Sequence, residues 1–267
     1  MEDTEPGLPI LSVFLYIGLF FRLILGKMIN DNYIAELRTM AQSELNLKKI
    51  VGEKAVNDYV RDGMTVGLGT GSTAEYAVKR VGELVKGGYK LKCVPTSQRT
   101  ADLAHSLGIE LVDVNDVPEI DVTIDGADEV DPKKQLIKGL GGALLREKIV
   151  AAATLTEVII VDESKIVDKL GVKTPLPVEV VPYGHKKTAY ALERQGCKAV
   201  LRMKGNDPFV TDAGNYIYDC KFESIENPFF LESMIDVIPG VVENGLFLNT
   251  ANIVLISHPD GSVTKMD

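Results

Sequence analysis

Three short stretches of the 267-residue chain hold residues whose types and spacing could do chemistry. "DGADEVD", Asp125 to Asp131, sets four carboxylates in seven residues directly behind the apolar-alternating run "IDVTI". Like charges repel, so such a cluster holds a divalent cation, handles protons, or sits in water. "GLGTGST", Gly67 to Thr73, is a glycine-rich turn between a strand-like and a helix-like run. "KGLGGALLREK", Lys138 to Lys148, is a second glycine-rich turn entering a helix.

A glycine-rich turn at a helix start exposes backbone N–H groups at the positive end of the helix dipole, where an anion can approach closely. In the first turn Thr70, Ser72 and Thr73 add hydroxyls beside Gly71, which suits the phosphate of a small molecule. No Lys follows its last glycine, which excludes a Walker A loop, and its G-x-G-x-G spacing is not the dinucleotide fingerprint. A tight turn without a ligand is the plain alternative. The acidic stretch fails the EF-hand pattern because Gly126 directly follows Asp125. Asp125 and Asp128 can converge on one ligand if the Gly126–Ala127 turn is tight, whereas Glu129 and Asp131 read as solvated. Behind the third turn, Leu144, Glu147, Ala151 and Leu155 recur at helical spacing, so Glu147 lies on an otherwise apolar row. It is either neutralised by Arg146, Lys148 or a more distant cation, or desolvated with a raised pKa, as a general base working near neutrality requires. Lys165 closes the next strand, a position where lysines are ordinarily solvated.

The elements that must position these groups alternate. From Asn46, "LKKIVGEKAVNDYV" reads as an amphipathic helix. Next come strand "MTVGL", helix "STAEYAVKRVGELV", strand "KLKCVP", helix "SQRTADLAHSL" closed by Gly108, and strands "IELVDV" and "IDVTI". Helix "ALLREKIVAAATL" and strand "EVIIVD" follow. Such alternation predicts an α/β fold with a Rossmann-like, mostly parallel sheet over residues 40–174 plus 251–267, with the acidic stretch at a strand's carboxyl end. Between them, residues 175–250 read as a smaller ferredoxin-like βαββαβ domain inserted near the C-terminus: strand Val178–Val181, helix Gly184–Arg194, strands Lys198–Met203 and Asn215–Asp219, helix Pro228–Ile235 and strand Val241–Leu246. The final run "NIVLISHP" is expected to return to the first sheet.

With 45% hydrophobic residues the chain can bury a substantial core, and its net charge of −9 argues against nucleic acid or an anionic membrane as the main partner. Three scattered cysteines, Cys93, Cys197 and Cys220, fit a reducing, cytoplasmic setting, and neither they nor the histidines have zinc-ligand spacing. Residues 1–27 do not match the rest. Leu8 to Leu25 is nearly all apolar but broken by Pro9, Gly18 and Arg22, and the flank "MEDTEPG" is acidic, unlike a secretory signal. Two readings stand for this extension: an organellar or membrane-anchoring segment, or a dispensable leader ahead of a start at Met28 or Met40.

Taken together, "GLGTGSTA", "DGADEVD", "KGLGGALLREKIV", "TPLPVEV" and "IPGVVENGLF" resemble the type A ribose-5-phosphate isomerase family from about Leu45 to the C-terminus. The resemblance implies a cofactor-free, metal-independent aldose–ketose isomerisation of ribose 5-phosphate and ribulose 5-phosphate through an ene-diol, a step of the non-oxidative pentose phosphate pathway. It implies Glu147 as the base, Asp125 and Asp128 as holders of sugar oxygens, and Lys138 with its loop facing the developing oxyanion. By position, Thr70, Gly71, Ser72, Thr73, Gly126, Ala127, Gly139, Leu140 and Gly141 would line the sugar phosphate, with Lys165 and Lys48 as nearby cations. Leu140 departs from the third glycine common in bacterial members, so its side chain should point away from the sugar. The resemblance also implies a homo-oligomer, dimer or tetramer. The alternatives are a related sugar-phosphate deaminase or lactonase, or a catalytically silent sugar-phosphate sensor.

Overall fold

The computed structural model describes residues 47–266. The readings made for residues 1–27, and the first few residues assigned to the sheet domain, lie outside the described residues. The described chain opens in a helix over residues 47–59 (α1). It continues through β1 (Thr65–Leu68), α2 (Ala74–Lys86), β2 (Lys92–Pro95), α3 (Gln98–Ser106) and β3 (Ile120–Gly126). Two short strands, β4 (Glu129–Val130) and β5 (Leu136–Ile137), precede α4 (Leu144–Ala152) and β6 (Thr154–Asp162). Then come β7 (Leu176–Val180), α5 (His185–Glu193), β8 (Lys198–Leu201), the hairpin β9 (Met203–Lys204) and β10 (Asp207–Pro208), and β11 (Tyr216–Lys221). Helix α6 (Pro228–Asp236), β12 (Val241–Asn244), β13 (Leu246–Phe247), β14 (Ile253–Ser257) and β15 (Val263–Lys265) complete it.

The molecule has an α/β fold built on a six-stranded sheet of order β15-β14-β6-β3-β1-β2. All its pairings are parallel except β14 with β15. Alternation along the central strands sends side chains to two cores. Val66, Val122, Ile124, Val158 and Ile160 meet Val51, Ala55 and Val56 of α1 and Val78 and Val81 of α2 on one face. Ile159, Val161, Val254 and Ile256 meet Leu144 and Ala151 of α4 on the other. A smaller antiparallel sheet has the order β12-β7-β11-β8, with α5 and α6 contributing Leu192 and Ile235 to its own core.

The final apolar run returns to the large sheet, as its composition implied, with Ile253–Ser257 running parallel to Val158–Asp162. Several expectations fail. The strand read over Lys198–Met203 stops at Leu201, and Met203 pairs with Pro208 in a separate hairpin. Helix α4 ends at Ala152, which leaves Leu155 exposed on β6 rather than on the helical row of Glu147. "IELVDV" forms no strand: only Leu111 makes a single bridge, to Cys93. The run expected as one strand from Val241 to Leu246 divides, and Leu246–Phe247 joins β5 and β4 in a separate three-stranded sheet. Glu129 and Asp131 are not solvated but 0% and 7% exposed. Helix ends follow their caps. Ser97 Oγ accepts from Thr100 N–H at 3.1 Å to start α3, and Asn227 Oδ1 accepts from Phe230 N–H at 3.2 Å to start α6. Among the described residues no helix is long and apolar enough to cross a membrane.

Candidate active site

The carboxyl ends of β1 and β3 lie side by side, and Asp125 projects from β3 on the α4 side, paired in register with Ile159. Its Oδ1 accepts from Thr70 N–H at 3.0 Å and Gly126 N–H at 2.7 Å, while Oδ2 lies 2.9 Å from Lys138 Nζ. The backbone comes this close because residue 69 is glycine: a Cβ there would sit 2.2 Å from Asp125 Oδ1. Lys138 follows β5, and its ammonium also donates to Gly126 O at 2.5 Å and faces Glu147 Oε2 at 3.4 Å. It sits 5.3 Å from the centre of the Phe247 ring, with Lys148 Nζ 5.0 Å from the same ring.

Glu147 enters from the first turn of α4. Neither chain neighbour neutralises it, because Arg146 pairs with Asp212 at 3.5 Å and Lys148 with Glu243 at 2.6 Å. The carboxyl is 4% exposed, and its Oε2 accepts no hydrogen bond among the described residues. Burial, opposed by the Lys138 charge and reinforced by Asp125 and Asp128, pushes its pKa up to about 8. Both readings of Glu147 therefore hold in part: it is desolvated, and it faces a cation from another loop. For Lys138, burial favours the neutral amine, but Asp125 and Glu147 outweigh it and its pKa is raised. Asp128 is raised chiefly by burial, against the pull of Leu140 N–H, which donates to its Oδ2 at 2.9 Å, and of Lys138 and Lys165.

One cavity unites nearly every residue singled out from the sequence. Its walls are Thr70, Gly71, Ser72 and Thr73 on one side, and Gly126, Ala127, Asp128, Lys138, Gly139, Gly141 and Glu147 on the other. Lys48 and Lys165 complete them. Asp125 and Leu140 are not on the cavity wall: Asp125 is buried, and Leu140, between the lining residues Gly139 and Gly141, is 39% exposed. Thr70 turns its hydroxyl inward, bonding Thr96 and Ser97 hydroxyls at 2.7 and 2.8 Å. The Thr73 side chain makes no capping bond at the start of α2, and Lys165 makes no ion pair among the described residues.

Two neighbours were not legible from spacing. Phe247 is the apolar surface shared by two ammonium groups. Glu157, inside β6, is 2% exposed with Oε2 unbonded among the described residues, and burial, then the Asp125 charge, hold its pKa well above the usual carboxylate range. A glutamate directly ahead of the apolar run Val158–Val161 of a central strand was the available signal. Among the described residues no cluster of His, Cys, Asp and Glu is arranged to hold a metal ion.

Fold and site define a class: an α/β enzyme with a buried carboxyl group, a lysine ammonium and a glycine-rich helix start around one polar cavity. Residues 92–261 match the family model for ribose 5-phosphate isomerase A (phosphoriboisomerase A). The chain is 51% identical over 216 residues to ribose-5-phosphate isomerase A of Gloeobacter violaceus, covering 80% of this chain and 94% of that one. A ribose 5-phosphate isomerase from Plasmodium falciparum superposes with a TM-score of 0.81 at 42% identity, covering 84% of this chain and 98% of that one. A D-ribose-5-phosphate isomerase in complex with phospho-erythronic acid superposes at 0.79 with 43% identity, covering 83% and 97%. The chain belongs to the ribose-5-phosphate isomerase A family.

Proposed function

We propose that the chain interconverts D-ribose 5-phosphate and D-ribulose 5-phosphate through an ene-diol, with Glu147 as the base. The observation that carries this is the Glu147 carboxylate: buried, raised to about 8, and facing an ammonium with one oxygen unbonded. A base of this kind can take a C2 proton near neutral pH and still release it. The electron pair forms the C1–C2 double bond and charge collects on the C1 oxygen, where the Lys138 ammonium and the N–H groups of its loop act electrostatically. Glu147 then returns the proton to C1 while the O2 proton passes to O1, so atoms and charge balance. Asp128 is the carboxylate placed to hold sugar hydroxyls. Asp125, with all its partners in the protein, acts by fixing Lys138. The start of α2, with Gly71, Ser72 and Thr73, takes the phosphate, and Lys48 and Lys165 supply charge.

The phospho-erythronic acid bound by the related enzyme is a phosphorylated four-carbon acid, which supports a phosphosugar in this cavity. In the same reading the large sheet is a Rossmann-like domain (40–174 plus 251–267). The smaller sheet, residues 175–250, is a ferredoxin-like insertion, which its β12-β7-β11-β8 order supports. The enzyme works in the cytoplasm as a homo-oligomer. The test is direct: purified protein is given ribose 5-phosphate and ribulose formation is followed. Equilibration from either side is expected. Failure with the pentose phosphate, alongside ammonia release from an amino-sugar phosphate or hydrolysis of a phosphosugar lactone, would assign a neighbouring chemistry instead.

A further inference from the structure

The loop between β5 and α4 carries the ammonium and the backbone donors of the cavity, yet part of what fixes it comes from the smaller sheet. Arg202, between β8 and β9, donates from Nη1 to Gly139 O at 3.0 Å and to Leu140 O at 3.1 Å. Its Nε donates to Asp219 Oδ2 at 3.0 Å, and its Nη2 to Asp219 Oδ1, so the guanidinium is gripped by β11 in a fork. The Phe209 ring lies 5.9 Å away and fills the space beside Gly142, where a Cβ would come within 2.4 Å of the ring.

A trans peptide points its carbonyl and its N–H in opposite directions. The peptide whose carbonyl belongs to Gly139 carries Leu140 N–H, which reaches Asp128 Oδ2 at 2.9 Å. The next, whose carbonyl belongs to Leu140, carries Gly141 N–H. Gly141 lines the cavity, and among the described residues no protein group accepts its N–H. Gly139 O also accepts from Gly142 N–H at 3.0 Å within the turn, whereas Arg202 is the protein group that holds Leu140 O, so the clamp and the turn together direct the two N–H groups inward.

We propose that Arg202, anchored by Asp219, is a positioning residue for the isomerisation: it fixes two successive peptide planes so that one holds Asp128 and the other presents Gly141 N–H to the developing enediolate oxygen. The inference rests on the isomerase reading above. A mere tie between the sheets would affect melting and leave catalysis alone, whereas a positioning role appears in kcat. A lysine at 202 reaches one carbonyl but cannot span two while gripping a carboxylate.

The test compares the full chain with Arg202→Gln, Arg202→Lys and Asp219→Asn, each checked for folding by circular dichroism. Arg202→Gln is expected to lower kcat ~10- to 100-fold, somewhat less than outright removal of an oxyanion donor. Its KM for ribose 5-phosphate should stay within about threefold, and inhibition by phospho-erythronic acid should weaken in step with kcat/KM. Arg202→Lys and Asp219→Asn should fall between that variant and wild type. Active wild type with wild-type kcat in Arg202→Gln and Asp219→Asn, whatever their melting temperatures, overturns the clamp alone; inactive wild type overturns the clamp and the isomerase reading together. If Arg202→Gln does not fold, Asp219→Asn decides, and wild-type kcat there overturns the proposal.

Discussion

Glu129 and Glu147 are both shut away from water, at 0% and 4% exposure, and their surroundings are opposite. Glu129 closes the acidic stretch against the segment before β7. Its Oε2 accepts from Gly171 N–H at 2.6 Å, and its Oε1 from Lys173 and Thr174 N–H at 2.7 and 2.5 Å. Three backbone donors make that carboxylate a staple between two loops. Glu147 is left with an unbonded oxygen, one ammonium at 3.4 Å and a cavity in front of it. Burial is common to both, so burial alone does not make an acid a base. The difference lies in whether the buried charge is already satisfied.

The comparison breaks most sharply through paired substitutions. Glu147→Gln should cut turnover by ~10²- to 10⁴-fold, the usual range for a lost general base, with binding of phospho-erythronic acid within about tenfold of wild type. Glu129→Gln should leave turnover per folded molecule intact and cost about 1–3 kcal/mol of stability, because an amide N–H₂ now confronts backbone donors. For a chain of this size that lowers the melting temperature by roughly 2–4 °C per kcal/mol, read by calorimetry beside the rate assay. A Glu129 variant that melts normally but turns over poorly would show that the satisfied acid, too, takes part in the chemistry.

A smaller effect appears in the pH dependence. As the proposed base, Glu147 must be ionised in the aldose-to-ketose direction, so kcat should rise with pH toward a plateau above about 8. The Lys138 charge favours the carboxylate, so Lys138→Met should move the ascending limb of its residual activity to higher pH. Stability carries the opposite sign. A carboxyl raised from 4.5 to about 8 in the folded state holds its proton longer there than in the unfolded chain. Its contribution is therefore full below the lower value and lost as pH rises through the upper one. Melting curves of wild type should fall relative to Glu147→Gln across that window, and parallel curves would place the shifted acid elsewhere.

These contrasts also show what could be read before folding. Glu147 was legible because helical spacing put a carboxylate on an apolar row, and the glycine turns were legible because few other features put several glycines between a strand and a helix. Glu129 was misread as solvated because a two-residue strand is too short to show alternation, and its donors, residues 171–174, lie far along the chain. The same reason hid β13, whose Leu246 looked like the end of β12. Arg202 sits among mixed charges between two short, partly exposed strands, and only the approach of the smaller sheet to the Gly139–Leu140 turn gives it a task. Long-range partnerships leave no periodic mark. The order of elements survived because each strand and helix longer than three residues carries its own hydrophobic period.

The smallest expected effect concerns the acidic stretch as a whole. Composition made "DGADEVD" a candidate cation site, yet most of its oxygens with assigned partners already face donors. Asp125 is taken by two backbone N–H groups and the Lys138 ammonium, and Asp128 Oδ2 by Leu140 N–H. Glu129 is taken by three N–H groups, and Asp131 Oδ1 by those of Lys133 and Gln135 at 2.8 and 2.9 Å. A divalent ion entering here would have to displace an ammonium and strip carboxylates from backbone donors that would then lie buried and unpaired. Prolonged dialysis against EDTA should therefore leave the isomerisation rate unchanged, and added magnesium or calcium should not raise it. A rate that falls on chelation and returns with one particular ion would mean that Lys138 yields its place, and that the cluster is a cation site after all.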